Sequence, residues 1–257
     1  MITSVLNTRV KHAAALHDRR AREEQKLCWV ESRRCVALAL GSAWRVREVA
    51  LSASAGTDAR RVADAAAQHG CPVQVYSDAC FKKMSALRHS DGIGAVVETC
   101  VLSGPPPPDD TARTIVVWQL QDPGNLGSII RSAVAMGCGR VAVVEPCVDV
   151  THPLCVRATA GMLFMAGVWR LDEAGARAWL AAHAPQCAAL SAHGGVPLPD
   201  ALAHRPRILL VGNEARGVPD DLARALPCVA IPMAPGVESL NVNAAAAIAL
   251  YTLWGAA

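Results

Sequence analysis

Short apolar runs alternate with amphipathic stretches along most of the chain. Residues 8–25 carry charges at helical spacing and read as one charged helix. The stretch 26–32 (KLCWVES) reads as a strand, 33–43 as a helix, 47–53 as a strand and 57–69 as an Ala-rich helix. Residues 71–77 are a further predicted strand, 78–87 a short helix and 92–102 one closing strand. This half reads as a small α/β domain.

The stretch 102–110 (LSGPPPPDD) interrupts the alternation. Four consecutive prolines have no N–H to donate and favour a stiff polyproline II spacer, which predicts a linker over 102–111 between domains at 1–101 and 112–257. Beyond it the alternation resumes. Predicted strands fall at 113–120, 140–145, 168–171, 187–193, 207–213 and 228–233, and predicted helices at 126–136, 153–165, 173–183, near 219–225 and at 240–254. Strands that are apolar throughout, such as RTIVVWQL and RILLV, suit a parallel sheet buried on both faces.

Composition narrows the class. With 52% hydrophobic and 18% charged residues, the 257-residue chain is too apolar for disorder and long enough to bury a core. Aromatics are only 4%, so that core is built from small aliphatic side chains. No apolar run reaches about 18 residues, which predicts no membrane span. The first twenty residues lack an apolar stretch behind a basic one, so no export signal is expected. Ten cysteines without a CxxC pair then read as reduced thiols packed as small hydrophobes in the cytoplasm. Cys147, His152 and Cys155 fit no standard zinc spacing, and no metal is expected.

Charge changes the picture through its distribution. The net value is +3, yet residues 1–47 hold ten Lys and Arg against four acids, a surplus of six. The remaining 210 residues hold fifteen bases against eighteen acids, a deficit of three. A basic end on a near-neutral chain is the footprint of a polyanion partner such as nucleic acid, or else a solvated helix face with compensating glutamates.

Ligands of open parallel sheets bind beyond the carboxyl ends of the strands. Three such loops are rich in glycine or polar residues. In QDPGNLGSIIRSA (121–133), Asn125 is placed to cap the helix, and Arg131, expected to be buried, reads as an anion clamp or as half of a structural ion pair. In LLVGNEARGVP (209–219), Gly212 permits close backbone approach and Glu214 stands at a strand end. In IPMAPGVESLNVNAAAA (231–247), Ser239 is a natural N-cap, while Asn241 and Asn243 are poor interior helix residues. No GxGxxG, GxxxxGK[ST] or GxSxG pattern occurs, and HGG (193–195) is only a weak loop signal.

Together the three loops resemble the signature motifs of the SpoU-type (TrmH-like) branch of the SPOUT RNA methyltransferases. N-x-G-x-x-x-R is met by Asn125, Gly127 and Arg131, and G-N-E-x-x-G by Gly212, Asn213, Glu214 and Gly217. The third motif is met by Ile231, Pro232 and Met233, followed by Ser239, Leu240, Asn241 and Val242. The match covers about residues 112–256, and VRATAGML (156–163) resembles the family's small-residue helix. ITSVLNTRVK, FKKMS and GIGAVVE give the first domain a weaker likeness to the family's ribosomal-protein-like substrate-binding module.

The resemblance implies an α/β fold: a SPOUT domain with a parallel sheet and a deep trefoil knot, plus a small N-terminal RNA-binding domain. It implies S-adenosylmethionine as cofactor, contacted by Gly212, Ile231 and Leu240 with Asn213 and Met233 nearby. Methyl transfer would be to a ribose 2′-hydroxyl of RNA, with Arg131 catalytic and Asn125, Glu214, Ser239 and Asn241 orienting. The substrate implied is 23S ribosomal RNA, with transfer RNA or a non-catalytic RNA-binding role as alternatives. A homodimer is implied too, its burial suited to a C-terminal helix ending in Leu253 and Trp254.

Overall fold

The computed structural model describes residues 1–109, 111–192, 194–204 and 206–255; the HGG signal begins at His193, outside them. The chain divides into two compact units, Met1–Cys100 with Asp149–Met165, and Val101–Val148 with Ala166–Ala257.

The first unit opens with helices α1 (Thr8–Ala15) and α2 (Arg19–Gln25) where the charge pattern predicts one helix. The break is local: Asp18 adopts an extended conformation, and its side chain accepts from the Ala21 N–H as the N-cap of α2. Strand β1 (Leu27–Glu31), helix α3 (Arg33–Leu40), strand β2 (Val46–Ser52), helix α4 (Thr57–Gln68), strand β3 (Val73–Tyr76), helix α5 (Asp78–Met84) and strand β4 (Ile93–Glu98) follow. The sheet order is β1-β4-β2-β3, with only β2–β3 parallel. Its core gathers Val10, Leu16, Trp29, Tyr76, Phe81 and Met84. Burying side chains of this kind stabilises by roughly 1.5–3 kcal/mol each.

The single closing strand expected over 92–102 is instead two. β4 ends at Glu98, and β5 (Val101–Ser103) pairs with a strand of the second unit. The Pro-rich stretch is correspondingly not a free spacer. Arg140 donates to Pro107 O at 2.8 Å and to the Asp109 carboxylate at 3.0 Å. From there β6 (Thr114–Trp118), α6 (Pro123–Ala135) and β7 (Arg140–Val144) lead to the segment of the first unit that carries α7 (Pro153–Ala158).

That segment differs from the linker-based division of the chain. Its anchor is a buried ion pair, Arg22 Nε to Asp149 Oδ2 at 2.9 Å, both side chains at most 3% exposed. Arg22 Nη1 also donates to the carbonyls of Leu16 and His17, so the buried charge has polar partners besides the carboxylate. The helix expected over 153–165 stops at Ala158, because Ala160 (φ 50°) and Gly161 (φ 86°) are left-handed. A short 3₁₀ turn at Met162–Met165 completes it.

Strand β8 (Gly167–Leu171), helix α8 (Glu173–Ala182), strands β9 (Cys187–Ser191), β10 (Val196–Pro197) and β11 (Ile208–Val211), helix α9 (Asp220–Ala225), strand β12 (Cys228–Ala230) and helix α10 (Val242–Trp254) complete the second unit. All eight strands are parallel, in the order β10-β12-β9-β11-β6-β7-β8-β5. The central strands β6 and β11 are buried at every position, as their unbroken apolar runs predict. β11 and β6 lie side by side, and β12 stands two places from β11, which brings the ends of all three toward one region.

Candidate functional site

The loop after β6 is shaped by Gln119, a buried non-glycine residue with φ 54°. Its side-chain amide donates to Glu145 O and the Glu173 carboxylate, so the unusual backbone is held by fixed partners. Helix α6 then starts earlier than the apolar pattern predicts. Asp122 is the N-cap, accepting from the Asn125 N–H at 2.7 Å, with Pro123 in the first turn. Asn125, expected to be the cap, sits inside that turn and has its side chain free for other contacts.

The loop after β11 folds back on itself. Asn213 N–H donates to Gly217 O at 3.0 Å and Gly217 N–H to Asn213 O at 2.8 Å. Gly217 is left-handed (φ 66°). A Cβ on Gly212 would lie 2.1 Å from the Gly217 carbonyl carbon and 2.2 Å from Val218 N, so only glycine closes this turn. The Asn213 amide is spent on structure: Nδ2 donates to Gln119 O at 2.7 Å, and Oδ1 accepts from the N–H groups of Ala215 and Arg216.

Glu214 points the other way, toward the first loop. Its carboxylate accepts from the N–H groups of Gln121 (3.3 Å) and Asp122 (3.2 Å) and from Asn125 Nδ2 (3.4 Å). Asn241 Nδ2 in turn donates to Asn125 Oδ1 at 3.4 Å. Glu214, Asn125 and Asn241 therefore form one chain of contacts joining all three loops. Asn241 is also the N-cap of α10, accepting from Asn243 N–H. That corrects the expectation that Ser239 caps the helix; Ser239 is exposed, two residues before the cap.

A cavity of about 430 Å³ lies between the second and third loops. Gly212, Asn213, Ile231, Met233, Ser239 and Leu240 all line it, so every residue expected to contact cofactor reaches one space. The volume is in the range of roughly 300–1,000 Å³ usual for small-molecule sites. Its lining mixes apolar residues with Arg216, Asp220 and Glu238, and includes Glu214, whose carboxylate is turned to the first loop.

Arg131 departs from expectation. It is exposed, not buried, and makes no hydrogen bond or ion pair among the described residues. The ion-pair reading of Arg131 is thereby removed, and its guanidinium remains available to an external anion. Trp254 departs in the opposite sense. It is 4% exposed, packs inside its own unit and donates from its indole N–H to Pro206 O at 2.9 Å. Among the large apolar residues of α10, Ile248 and Tyr251 are exposed.

Sequence reasoning missed Gln119, Gln121, Asp122 and Arg216, which hold or line the site. Only Asp122 carried a legible signal, as an aspartate directly before a proline at a helix start. No group of three or more potential metal ligands occurs among the described residues. All ten cysteines are free, and burial pushes the Cys28, Cys147 and Cys187 thiols up to about 12. No helix of the described residues is long and apolar enough to cross a membrane.

A parallel sheet with a cavity between the loops after β11 and β12, the first of them closed on an obligatory glycine, defines a small-molecule-binding α/β unit. Residues 112–251 match the SpoU rRNA Methylase family, and the chain belongs to that family. Residues 7–95 match the MRM3-like substrate binding domain. An uncharacterised tRNA/rRNA methyltransferase of Synechocystis is 30% identical over 97% of this chain and 92% of its own. The Bacillus subtilis 23S rRNA (guanosine(2553)-2′-O)-methyltransferase RlmP is 28% identical over 99% of both chains. Among solved structures, the AdoMet-bound rRNA methyltransferase of Sinorhizobium meliloti superposes with a TM-score of 0.83, at 26% identity, over 98% of this chain and 96% of its own. The Streptomyces viridochromogenes SpoU methyltransferase AviRb, in complex with AdoMet, gives 0.81 at 26% identity, over 97% of this chain and 98% of its own.

Proposed function

We propose that this protein methylates a ribose 2′-hydroxyl of 23S ribosomal RNA with S-adenosylmethionine as donor. The observation that carries the reading is the Glu214–Asn125–Asn241 chain, which joins three loops beside a cavity bounded by Gly212. Ribosomal rather than transfer RNA is favoured by the match of residues 7–95 to a substrate-binding domain and by full-length likeness to a 23S rRNA enzyme.

When bound, S-adenosylmethionine supplies a methyl group activated by its sulfonium. The protein's task is then alignment and management of one proton. Gly212, Ile231 and Leu240 give the cofactor backbone and apolar surface, with Met233 beside them, while Asn213 acts indirectly by fixing the loop. Glu214 holds the start of α6 through two backbone N–H groups. Asn125, Asn241 and the exposed Ser239 orient the ribose. Arg131 grips the phosphate next to the target nucleotide. The guanidinium is already protonated and cannot take the hydroxyl proton, so Arg131 stabilises the developing alkoxide while the adjacent phosphate relays the proton to solvent water.

We further propose that the second unit contains a deep trefoil knot and that the protein is a homodimer using the face of α10 that exposes Ile248 and Tyr251. The first unit, Met1–Cys100 with Asp149–Met165, serves RNA binding, and the second, Val101–Val148 with Ala166–Ala257, methyl transfer. The ten free thiols favour the cytoplasm. Incubation of Arg131→Ala with 23S rRNA and labelled donor tests the mechanism. Loss of transfer with donor affinity retained is expected, and full activity overturns the assignment.

A further inference from the structure

The first unit contains a second cavity, of about 450 Å³, between α1 and one face of the four-stranded sheet. We propose that it seats one unpaired nucleotide of the RNA substrate. The inference rests on the reading of the protein as an RNA methyltransferase and assigns a site outside the methyl-transfer unit.

The cavity is graded from rim to floor. Arg9, His12, Lys26 and Arg47 surround its mouth and are all exposed. Lys26 has no ion-pair partner among the described residues, and it holds its place as the left-handed C-cap of α2 (φ 55°). Two carboxylates stand along the wall. Glu48 accepts from the Tyr76 hydroxyl at 2.5 Å and from Arg9 at 3.0 Å. Glu98 faces Arg47 and, at 3.6 Å, Arg45. The floor is Trp29, Ala50, Tyr76 and Met84, each at most 2% exposed. One wall atom is unmatched: Gln25 Oε1 is buried without a hydrogen-bond partner.

This gradient matches the parts of a nucleotide. The cationic mouth suits phosphate. Carboxylates and an unmet amide oxygen accept from N–H and O–H groups, which base edges and the ribose 2′-hydroxyl supply. The apolar floor suits a base removed from its stack, the state in which single-stranded RNA is read. A wall of acceptors favours bases with an exocyclic amino group over uracil, whose exposed edge is mainly carbonyl.

The test uses the full chain and fluorescent single-stranded oligoadenylate, oligocytidylate and oligouridylate, with AMP as competitor. Oligoadenylate and oligocytidylate are expected to bind tighter than oligouridylate. Lys26→Asn, which keeps the left-handed backbone, is expected to weaken all three and lower the slope of log K against log salt by about one. Ala13→Leu, which fills the cavity from α1, is expected to abolish the preference among bases; Thr99→Trp at the rim replaces it if that variant does not fold. Each variant should retain wild-type affinity for S-adenosylmethionine. Unchanged RNA binding and base preference in the folded variants would overturn the proposal while leaving the functional reading intact. Displacement by AMP that these variants abolish, with RNA affinity unaltered, would overturn it in favour of a free-nucleotide site. A wild-type protein that neither binds the donor nor methylates RNA would defeat the functional reading itself.

Discussion

Gly212→Ala tests how the cofactor cavity is built. The added Cβ would sit 2.1 Å from Gly217 C, 2.2 Å from Val218 N and 2.4 Å from Gly217 O, all backbone atoms that cannot swing aside. Restoring ordinary contact at 3.4 Å or more requires the two sides of the loop to part by over an ångström. That movement stretches the reciprocal Asn213–Gly217 hydrogen bonds of 3.0 and 2.8 Å. Overpacking costs about 1–3 kcal/mol, and two weakened hydrogen bonds cost about 1 kcal/mol each. At about 1.4 kcal/mol per tenfold change, a distortion of about 3–5 kcal/mol lowers donor affinity by about 100-fold or more. Isothermal titration with S-adenosylmethionine reads this directly. Gly139→Ala is the control, since its Cβ would meet nothing within 4 Å and its φ is not positive. An unchanged dissociation constant for Gly212→Ala would refute the claim that the cofactor lies against this turn.

Three further outcomes follow from the geometry. Arg131→Ala should keep its melting temperature, because the side chain is exposed and unpaired, while kcat falls about 100-fold and donor affinity holds; a large loss of stability would point to a structural role instead. Asp149→Asn should cost about 3–5 kcal/mol in denaturant unfolding, since it strands the buried Arg22 charge. Burial opposes ionisation of Asp149, but the Thr151 hydrogen bonds and Arg22 outweigh it and hold the carboxyl below its usual 3.8; the stability it contributes is complete above that value and is lost as pH falls through the lower folded value, an acid-limb dependence the variant should lack. In thiol titration of the native protein at pH 8, Cys100 should react first because it is exposed, whereas Cys28, Cys147 and Cys187, pushed up to about 12 by burial, should react only on unfolding.

The longer strands and the three loops were legible because their signals are local, whereas the division of 92–102 into β4 and β5 and the two-residue β10 were not. β6 and β11 announce themselves as unbroken apolar runs, and Gly212, Glu214 and Asn241 stand directly after strands or at a helix start. What escaped the sequence depends on distant partners or on single backbone angles. Arg22 and Asp149 meet across 127 positions, so nothing local places Asp149–Met165 with the first unit. The division of 8–25 at Asp18 and the end of α7 at Ala160 turn on caps and left-handed residues inside otherwise helical patterns. Arg131 sits on a largely apolar helix, which suggested burial, but its own position on that helix faces solvent. Gln119 gave no sign of its left-handed backbone, because glutamine rarely adopts it.

The most direct test of the central claim is nucleoside mass spectrometry of 23S rRNA incubated with the protein and deuterated S-adenosylmethionine. The account predicts a labelled methyl group on the ribose of one nucleotide, absent when Arg131→Ala replaces the wild-type protein. Label on a base, or no label on RNA that the protein demonstrably binds, would contradict it.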